Sequence, residues 1–271
     1  LSTISIGTDN SNDNIGSSGI TPTNATDGST NGSDTIVIHG TVTDLNGCDE
    51  IEDDGWLEVS FYQSPKTEDT CNSTGENTKE DCYYADNSGE ITFNTNCTGS
   101  DAGAITFEWS TTTYHWLLDG EFNVYVQAYD GVATSSQVDT FAVSTNLGLN
   151  IDSPSLNYGN LSLGATGTTG SPLAVNNSGN TDSDYNVTLR QWDCSNGGSI
   201  PTSSQYFSST STIQANMAQG TGSAQTMGVS NDAASYATQH PLTNINWELE
   251  IPSTGVAGTC SSTVTVTAIA A

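Results

Sequence analysis

The sequence predicts an all-β protein built from β-sandwiches, and three observations support that fold class. Short segments alternate apolar and polar residues, as the two faces of a half-buried strand require. No stretch shows helical periodicity over three turns. Turn-forming pairs recur between the alternating segments, at Asn46-Gly47, Asp54-Gly55, Ser88-Gly89, Asp119-Gly120 and Asp130-Gly131. Many short strands separated by such turns are typical of a sandwich.

Residues 1–33 differ in composition from the rest and form a predicted N-terminal arm. The segment reads LSTISIGTDNSNDNIGSSGITPTNATDGSTNGS, which is typical of a flexible, extended linker. Its sparse apolar residues are the ones that we expect to act as a donor strand: Leu1, Ile4, Ile6, Ile15 and Ile20. Ile4 and Ile6 share one face of an extended strand. We expect such an arm to be held either by its own domain or by a neighbouring subunit, because untethered termini are seldom ordered.

Residues 34–146 form the first predicted sandwich. The alternation is strong in TIVIHGTVT (35–43), WLEVSFY (56–62), AITFEW (104–109) and EFNVYVQAYD (121–130). The pattern restarts near residue 146, and residues 147–271 form the second predicted sandwich. Its clearest strands are YNVTLRQW, INWELEIP and TVTVTAIAA, whereas residues 196–240 predict long loops with one or two short strands.

The charge balance excludes several classes of partner. Lys66, Lys79 and Arg190 are the only strong bases, against 31 acids, for a net charge of −28. Three scattered cations cannot neutralise a row of phosphates, so we expect neither nucleic-acid binding nor attraction to an anionic membrane. No run of 18 apolar residues exists that would span a membrane. Such self-repulsion is tolerable where salt or divalent cations screen it, which favours an extracellular, cell-surface location.

The cysteine count favours disulfides over metal ligation. Six cysteines occur, at Cys48, Cys71, Cys82, Cys97, Cys194 and Cys260, without a CxxC pair. An even count in a chain that begins at Leu1 is typical of a mature secreted protein. Four cysteines lie in the first predicted domain, where the pairing is left open and Cys48–Cys97 with Cys71–Cys82 is favoured. The remaining two predict Cys194–Cys260 in the second domain.

Catalytic motifs are absent from the sequence, and we expect no enzyme. His39, His115 and His240 are scattered over 200 residues, without a paired arrangement that would bind a metal or activate a nucleophile. A Ca²⁺ site is a weaker expectation, because hard oxygen ligands crowd one inter-strand loop. Its candidate ligands are Asp44, Asn46, Asp49, Glu50 and Asp53. The competing interpretation is a solvated acidic loop, and no other cofactor is expected.

Two surface features concern carbohydrate. Seven Asn-x-Ser/Thr sequons permit N-glycosylation, at Asn24, Asn31, Asn72, Asn96, Asn160, Asn176 and Asn186. This number is close to what chance gives in a chain so rich in Asn, Ser and Thr. Aromatic residues that could form a sugar-binding platform are Trp109, Tyr114, Trp116, Trp192 and Trp247. Core packing is the favoured interpretation for them, because Trp109 and Trp247 fall on alternating strand positions.

Two segments resemble known envelope-protein domains. TIVIHGTVTDLNGCDEI, GWLEVSFY and GEFNVYVQAYDG resemble immunoglobulin-like domains repeated in archaeal and candidate-phylum bacterial envelope proteins. The segments LNYGNLSLGATG, LAVNNSGNTDSDYNVTL and WELEIPSTGVAGTCSSTVTVTA are similar to a second such family. There an aromatic residue usually stands where this chain has Cys260, which supports its bridge to Cys194. The resemblance implies two tandem Ig-like sandwiches at the cell surface and carries no catalytic residues.

The layout also resembles archaeal thread-like filament subunits, which polymerise by strand donation. We therefore expect a structural subunit of an extracellular, pilus-like filament whose partners are other copies of itself. The arm would add a strand to the open sheet edge of the next subunit. Two alternatives remain: an S-layer or adhesin module stabilised by Ca²⁺, and a secreted carbohydrate-binding protein.

Overall fold

The computed structural model describes residues 3–10, 33–44, 51, 55–72, 80–86, 89–93, 103–151, 154–234 and 241–271. Almost all of the regular structure in these ranges is antiparallel β-sheet, which confirms the all-β prediction. The chain divides into two compact units, one ending at Asn146 and the other beginning at Leu147 in their main parts. The finer assignment of 34–146 and 147–271 as separate Ig-like domains stays a prediction.

The strands of the first unit form two four-stranded sheets, ordered β1-β2-β6-β5 and β4-β3-β7-β8. This is the order A-B-E-D and C′-C-F-G of an immunoglobulin-type sandwich. One short helix, α1 (Glu68–Asn72), lies between β3 and β4. The described strands are β1 (Thr3–Asn10), β2 (Ser33–Asp44), β3 (Trp56–Gln63), β4 (Cys82–Asp86), β5 (Ile91–Phe93), β6 (Gly103–Tyr114), β7 (Gly120–Tyr129) and β8 (Thr134–Val143).

Alternation along these strands produces the core of the first unit. On β7, Phe122, Val124 and Val126 are fully buried, while the residues between them are half-buried. Phe61 of β3 lies at the centre of an aromatic cluster. Its ring centroid is 4.4 Å from that of Tyr83, and the cluster continues to Trp109, Phe122 and Phe141 at 5.6, 6.0 and 5.6 Å.

The second unit has a sheet ordered β16-β15-β18-β11-β9, with β10 also paired to β18, and two three-stranded sheets ordered β17-β12-β20 and β14-β13-β19. Its core includes the buried Val175, Tyr185, Phe207 and Trp247. The described strands are β9 (Leu149–Ile151), β10 (Thr166–Thr168), β11 (Leu173–Asn177), β12 (Ser183–Leu189), β13 (Trp192–Cys194), β14 (Ser199–Ile200), β15 (Gln205–Ser208), β16 (Ala218–Gln219), β17 (Gln225–Thr226), β18 (Leu242–Glu250), β19 (Cys260–Ser261) and β20 (Val264–Ala270).

Two disulfides are present among the described residues, and each closes within one unit. Cys71 of α1 bonds to Cys82 of β4, and this bridge packs against the nearly buried Tyr62. Cys194 bonds to Cys260 at the facing position of β19. Cys48 and Cys97 lie outside the described residues, so the bridge predicted between them stays a prediction.

Candidate functional site

The edge formed by β1 is the candidate site for assembly. β1 pairs antiparallel with β2 of the same chain along its whole length, from Thr3 opposite Thr43 to Asn10 opposite Ile36. β1 also approaches β8, the edge strand of the second sheet in this unit. The prediction that the arm adds its strand to the next subunit differs from this structure, in which β1 pairs with β2 of the same chain and completes that chain's own sheet.

The register of β1 relates its two isoleucine positions to one face of β2. Ile4 lies opposite Val42, and Ile6 lies opposite Gly40. Because directly paired residues share a face of the sheet, these positions belong to the side of β2 that carries the fully buried Ile38 and Val42. The other predicted donor residues, Leu1, Ile15 and Ile20, lie outside the described residues.

The connection between β1 and β2 is much longer than an antiparallel pair requires. β1 ends at Asn10 and β2 begins at Ser33, so 22 residues join two neighbouring strands. A hairpin closes with two to five residues. An extended connection of this length would reach about 70–80 Å at 3.3–3.6 Å per residue. The covalent chain therefore does not force β1 to pair with its own β2.

The structure describes one of the five predicted Ca²⁺ ligands, Asp44. Asp44 ends β2 and is buried, whereas Asn46, Asp49, Glu50 and Asp53 lie outside the described residues. No group of three or more His, Cys, Asp or Glu side chains that could hold a metal occurs in the part of the chain that the structure describes.

Three of the five aromatic candidates are core residues, as the favoured interpretation predicted. Trp109 and Trp116 are buried in the first unit, where the ring of Tyr114 stacks on Trp116 at 4.5 Å. Trp247 is buried in the second unit, and Trp192 of the same unit is half-buried. The histidines are also dispersed: His39 is exposed on β2, His115 is fully buried against Trp116, and His240 lies outside the described residues.

The second unit contains a cleft of about 440 Å³ beside the Cys194–Cys260 disulfide. Tyr158 and Trp192 meet edge to face in its wall, with ring centroids 5.7 Å apart. Burial, and secondarily the charge of Glu248, raises the pKa of Tyr158. Burial also raises the pKa of Glu248, reinforced by Glu250 on the same strand. No local sequence pattern predicts this cleft, because its walls come from segments far apart along the chain.

Two titratable groups of the first unit have defined structural partners. The Tyr62 hydroxyl donates a hydrogen bond to Glu68 at 3.2 Å, and burial together with this carboxylate raises the pKa of Tyr62 to about 12. Asp130 accepts hydrogen bonds from the backbone N–H groups of Ala133 and Val132 at 2.6 and 2.8 Å. These bonds lower the pKa of Asp130 to about 2. Asp130 therefore fixes the β7–β8 turn.

Comparisons with known proteins give weak structural likenesses. No family model matches the sequence, and no curated protein matches it. A solved chain named BspA_C_WT is similar over 97% of this chain and 95% of its own, at 12% identity and a TM-score of 0.29. Escherichia coli α-2-macroglobulin activated by porcine elastase is similar over 98% of this chain and 22% of its own, at 11% identity and 0.24.

A chaperone–tip adhesin complex of CFA/I fimbriae biogenesis is similar over 76% of this chain and 86% of its own, at 12% identity and a TM-score of 0.19. Likenesses at these scores carry no argument, and the description of the fold rests on the sheet order itself. Among the described residues, no helix is both long and apolar enough to cross a membrane.

Proposed function

We propose that this protein is a structural subunit of an extracellular cell-surface filament, assembled by passing β1 from one copy to the sheet edge of the next. The observation that carries the proposal is the pairing of β1, an edge strand, with β2 across a connection of 22 residues. Release of such a strand would break its pairing with β2 and its contacts with β8, and among the described residues no further strand pairs with β1 on its outer side.

The energetics favour exchange as soon as copies are concentrated. A β1 strand from a second copy would meet the same β2, in the same register, as the strand that it replaces. The two pairings then differ mainly in the covalent connection, which gives the chain's own strand a higher effective concentration at β2 than a strand from another copy has in dilute solution. Alignment of many copies at a cell surface, or further contacts along a fibre, would offset that advantage.

The geometry of exchange determines the kind of assembly. Each copy would donate at β1 and accept at β2, so donor and acceptor are different surfaces. Such heterologous contacts propagate head to tail and give an open fibre unless the rotation between subunits closes a ring. A single kind of subunit is therefore sufficient to build the fibre.

The composition supports an extracellular place for such a fibre. The Cys71–Cys82 and Cys194–Cys260 bridges are typical of an oxidising compartment. The net charge of −28 disfavours close packing of subunits at low ionic strength. Salt or divalent cations would screen this repulsion and permit assembly.

A cysteine lock at β1 tests the proposal. Ser5 and Thr41 occupy facing positions of β1 and β2, on the face of the sheet opposite the buried Ile38 and Val42. Facing strand positions lie within the Cα separation that a disulfide spans. We expect the Ser5→Cys/Thr41→Cys double variant, oxidised as a dilute monomer, to form no fibres on concentration, by light scattering and electron microscopy.

The matched control places the second cysteine out of register. Ser5→Cys/Val37→Cys carries the same number of added thiols, but Val37 lies opposite Asp9 and cannot bond to position 5 within the closed chain. This variant should assemble as the unmodified protein does. Fibres of normal length from the locked variant would refute assembly by release of β1.

A further inference from the structure

The structure separates three of the glycosylation sequons by their accessibility. Asn160 lies in the irregular segment between β9 and β10, where both Asn160 and Ser162 of the sequon are exposed. Asn176 lies on β11 between two paired strands and is 6% exposed. Asn186 lies on β12, again between two paired strands; it is half-buried, and its side-chain oxygen accepts a hydrogen bond from the Thr226 hydroxyl at 2.8 Å.

A local turn presents the Asn160 sequon without disturbing the sheets. The side chain of Asn157 accepts a hydrogen bond from the N–H of Gly159 at 2.8 Å, and Gly159 adopts a φ of +66° that favours glycine. The chain returns to the sheet after the sequon, where the N–H of Gly164 donates to the carbonyl of Ile251 at 3.1 Å. A substituent on Asn160 therefore requires no strand to open.

The surface beside Asn160 has the chemistry of a neutral sugar site. Asn160 itself lines the cleft of about 440 Å³, a volume within the range of small-molecule sites. Leu163, also in its lining, is 55% exposed. No charged side chain occurs among the lining residues, and the net charge of −28 disfavours an anionic sugar. The apolar face of a neutral sugar ring would cover Leu163, while its hydroxyl and amide groups remain in water.

We propose that Asn160 is an N-glycosylation site whose first, neutral sugar packs over this cleft, and that Asn176 and Asn186 are not modified in the folded protein. The reaction needs a glycosyltransferase and a sugar activated as a phosphate or pyrophosphate ester. The Asn160 amide nitrogen bonds to C1 of the sugar and loses one proton to a base of the transferase. The bond between C1 and the phosphate oxygen breaks, and the phosphate leaves with the electron pair.

Site mapping by mass spectrometry tests this assignment. The protein is secreted from a host that N-glycosylates Asn-x-Ser/Thr sequons and is purified in its folded, monomeric form. We expect a glycan on most Asn160-containing peptides and none on peptides that contain Asn176 or Asn186. Asn160→Gln and Ser162→Ala should each remove the modification. Asn216→Gln, at an exposed asparagine outside any sequon, should leave it unchanged. An unmodified Asn160, or a modified Asn176 in folded protein, would overturn the assignment.

Thermal unfolding tests the contact between sugar and cleft. We compare protein trimmed by an endoglycosidase to one sugar with the Asn160→Gln variant, because complete enzymatic release would leave an aspartate instead of asparagine. If the sugar covers Leu163, Asn160→Gln should lower the melting temperature by a few degrees, and trimming should not lower it. In a Leu163→Ser background, the difference in melting temperature between trimmed protein and the Asn160→Gln variant should be smaller. Equal melting temperatures for trimmed protein and Asn160→Gln would overturn the packed position of the first sugar.

Discussion

The length of the connection between β1 and β2 should control how readily the strand is exchanged. The connection has 22 residues and is rich in Ser, Gly and Asn. Deleting residues 15–28 leaves eight residues, which is still enough to join Asn10 to Ser33 in an antiparallel pair. Repeating the connection once doubles its length. Neither change alters β1, β2 or their register.

The size of the effect follows from loop-closure entropy. The cost of closing a flexible loop grows as about (3/2)RT ln n, so shortening from 22 to eight residues favours the closed chain by about 1 kcal/mol. The effective concentration of β1 at its own β2 then rises about 4–5-fold. Doubling the connection lowers that effective concentration about 3-fold.

The measured quantity is the protein concentration at which half of the chains have exchanged β1 with another copy. Size-exclusion chromatography followed by light scattering gives the fraction of chains in oligomers at each concentration. This concentration should rise about 4–5-fold for the short connection and fall about 3-fold for the long one, relative to the natural chain. A matched insertion of the same length between the exposed Gly170 and Ser171 of the second unit should leave it unchanged. Exchange that is independent of the connection's length, or oligomers that persist without β1, would refute the reasoning.

Three further predictions concern the fold of the first unit. Phe61→Ala should destabilise it by about 3–5 kcal/mol in urea unfolding, because the ring is fully buried among four aromatic neighbours, and retention of full stability would contradict the packing. Asp130→Ala should cost about 1–2 kcal/mol at neutral pH through two lost backbone hydrogen bonds. Because the pKa of Asp130 is lowered to about 2, this difference should fade as the pH falls from about 4 to 2, and a constant difference would be contrary to that carboxylate's role. Because the pKa of Tyr62 is raised to about 12, its contribution to the free energy of unfolding is complete below pH 10 and should be lost as the pH rises from about 10 to 12. Tyr62→Phe should remove this part of the loss of stability at alkaline pH. Tyrosinate absorbance measures the titration, and urea unfolding at each pH measures the stability.

The sequence predicted the long alternating strands but neither their partners nor all of the short strands. Residues 196–240, for which one or two short strands were expected, contain four, β14 to β17, because two- to four-residue strands are too short to show a period. Alternation placed Phe122, Val124 and Val126 on one face, and the structure buries all three. A two-residue period identifies a strand and the face that it buries. It does not identify the partner, because any sheet edge whose apolar residues have the same period could pair with that strand. Composition therefore could not decide between the chain's own β2 and that of a neighbour for Ile4 and Ile6.

The features of the candidate sites that the sequence did not predict depend on contacts between segments that are distant along the chain. The 440 Å³ cleft brings Tyr158, Trp192 and Val256 together, and no local pattern relates these positions. The Asp130-Gly131 pair did predict a turn, but the pKa of Asp130 depends on two hydrogen-bond distances. Likewise, all seven sequons are equivalent as sequence, and only the pairing of β11 and β12 distinguishes Asn176 and Asn186 from Asn160.

Mixing two single-cysteine variants tests strand exchange most directly. One population carries Ser5→Cys and the other Thr41→Cys, so a disulfide between the two positions can form only between different copies. After mixing at high concentration and oxidation, we expect a mixed disulfide dimer on non-reducing gels, with the Ser5–Thr41 linkage identified by mass spectrometry. A mixture of Ser5→Cys with Val37→Cys should give far less, because those positions are out of register. Absence of the mixed dimer under conditions where the unmodified protein forms fibres would contradict the proposed assembly.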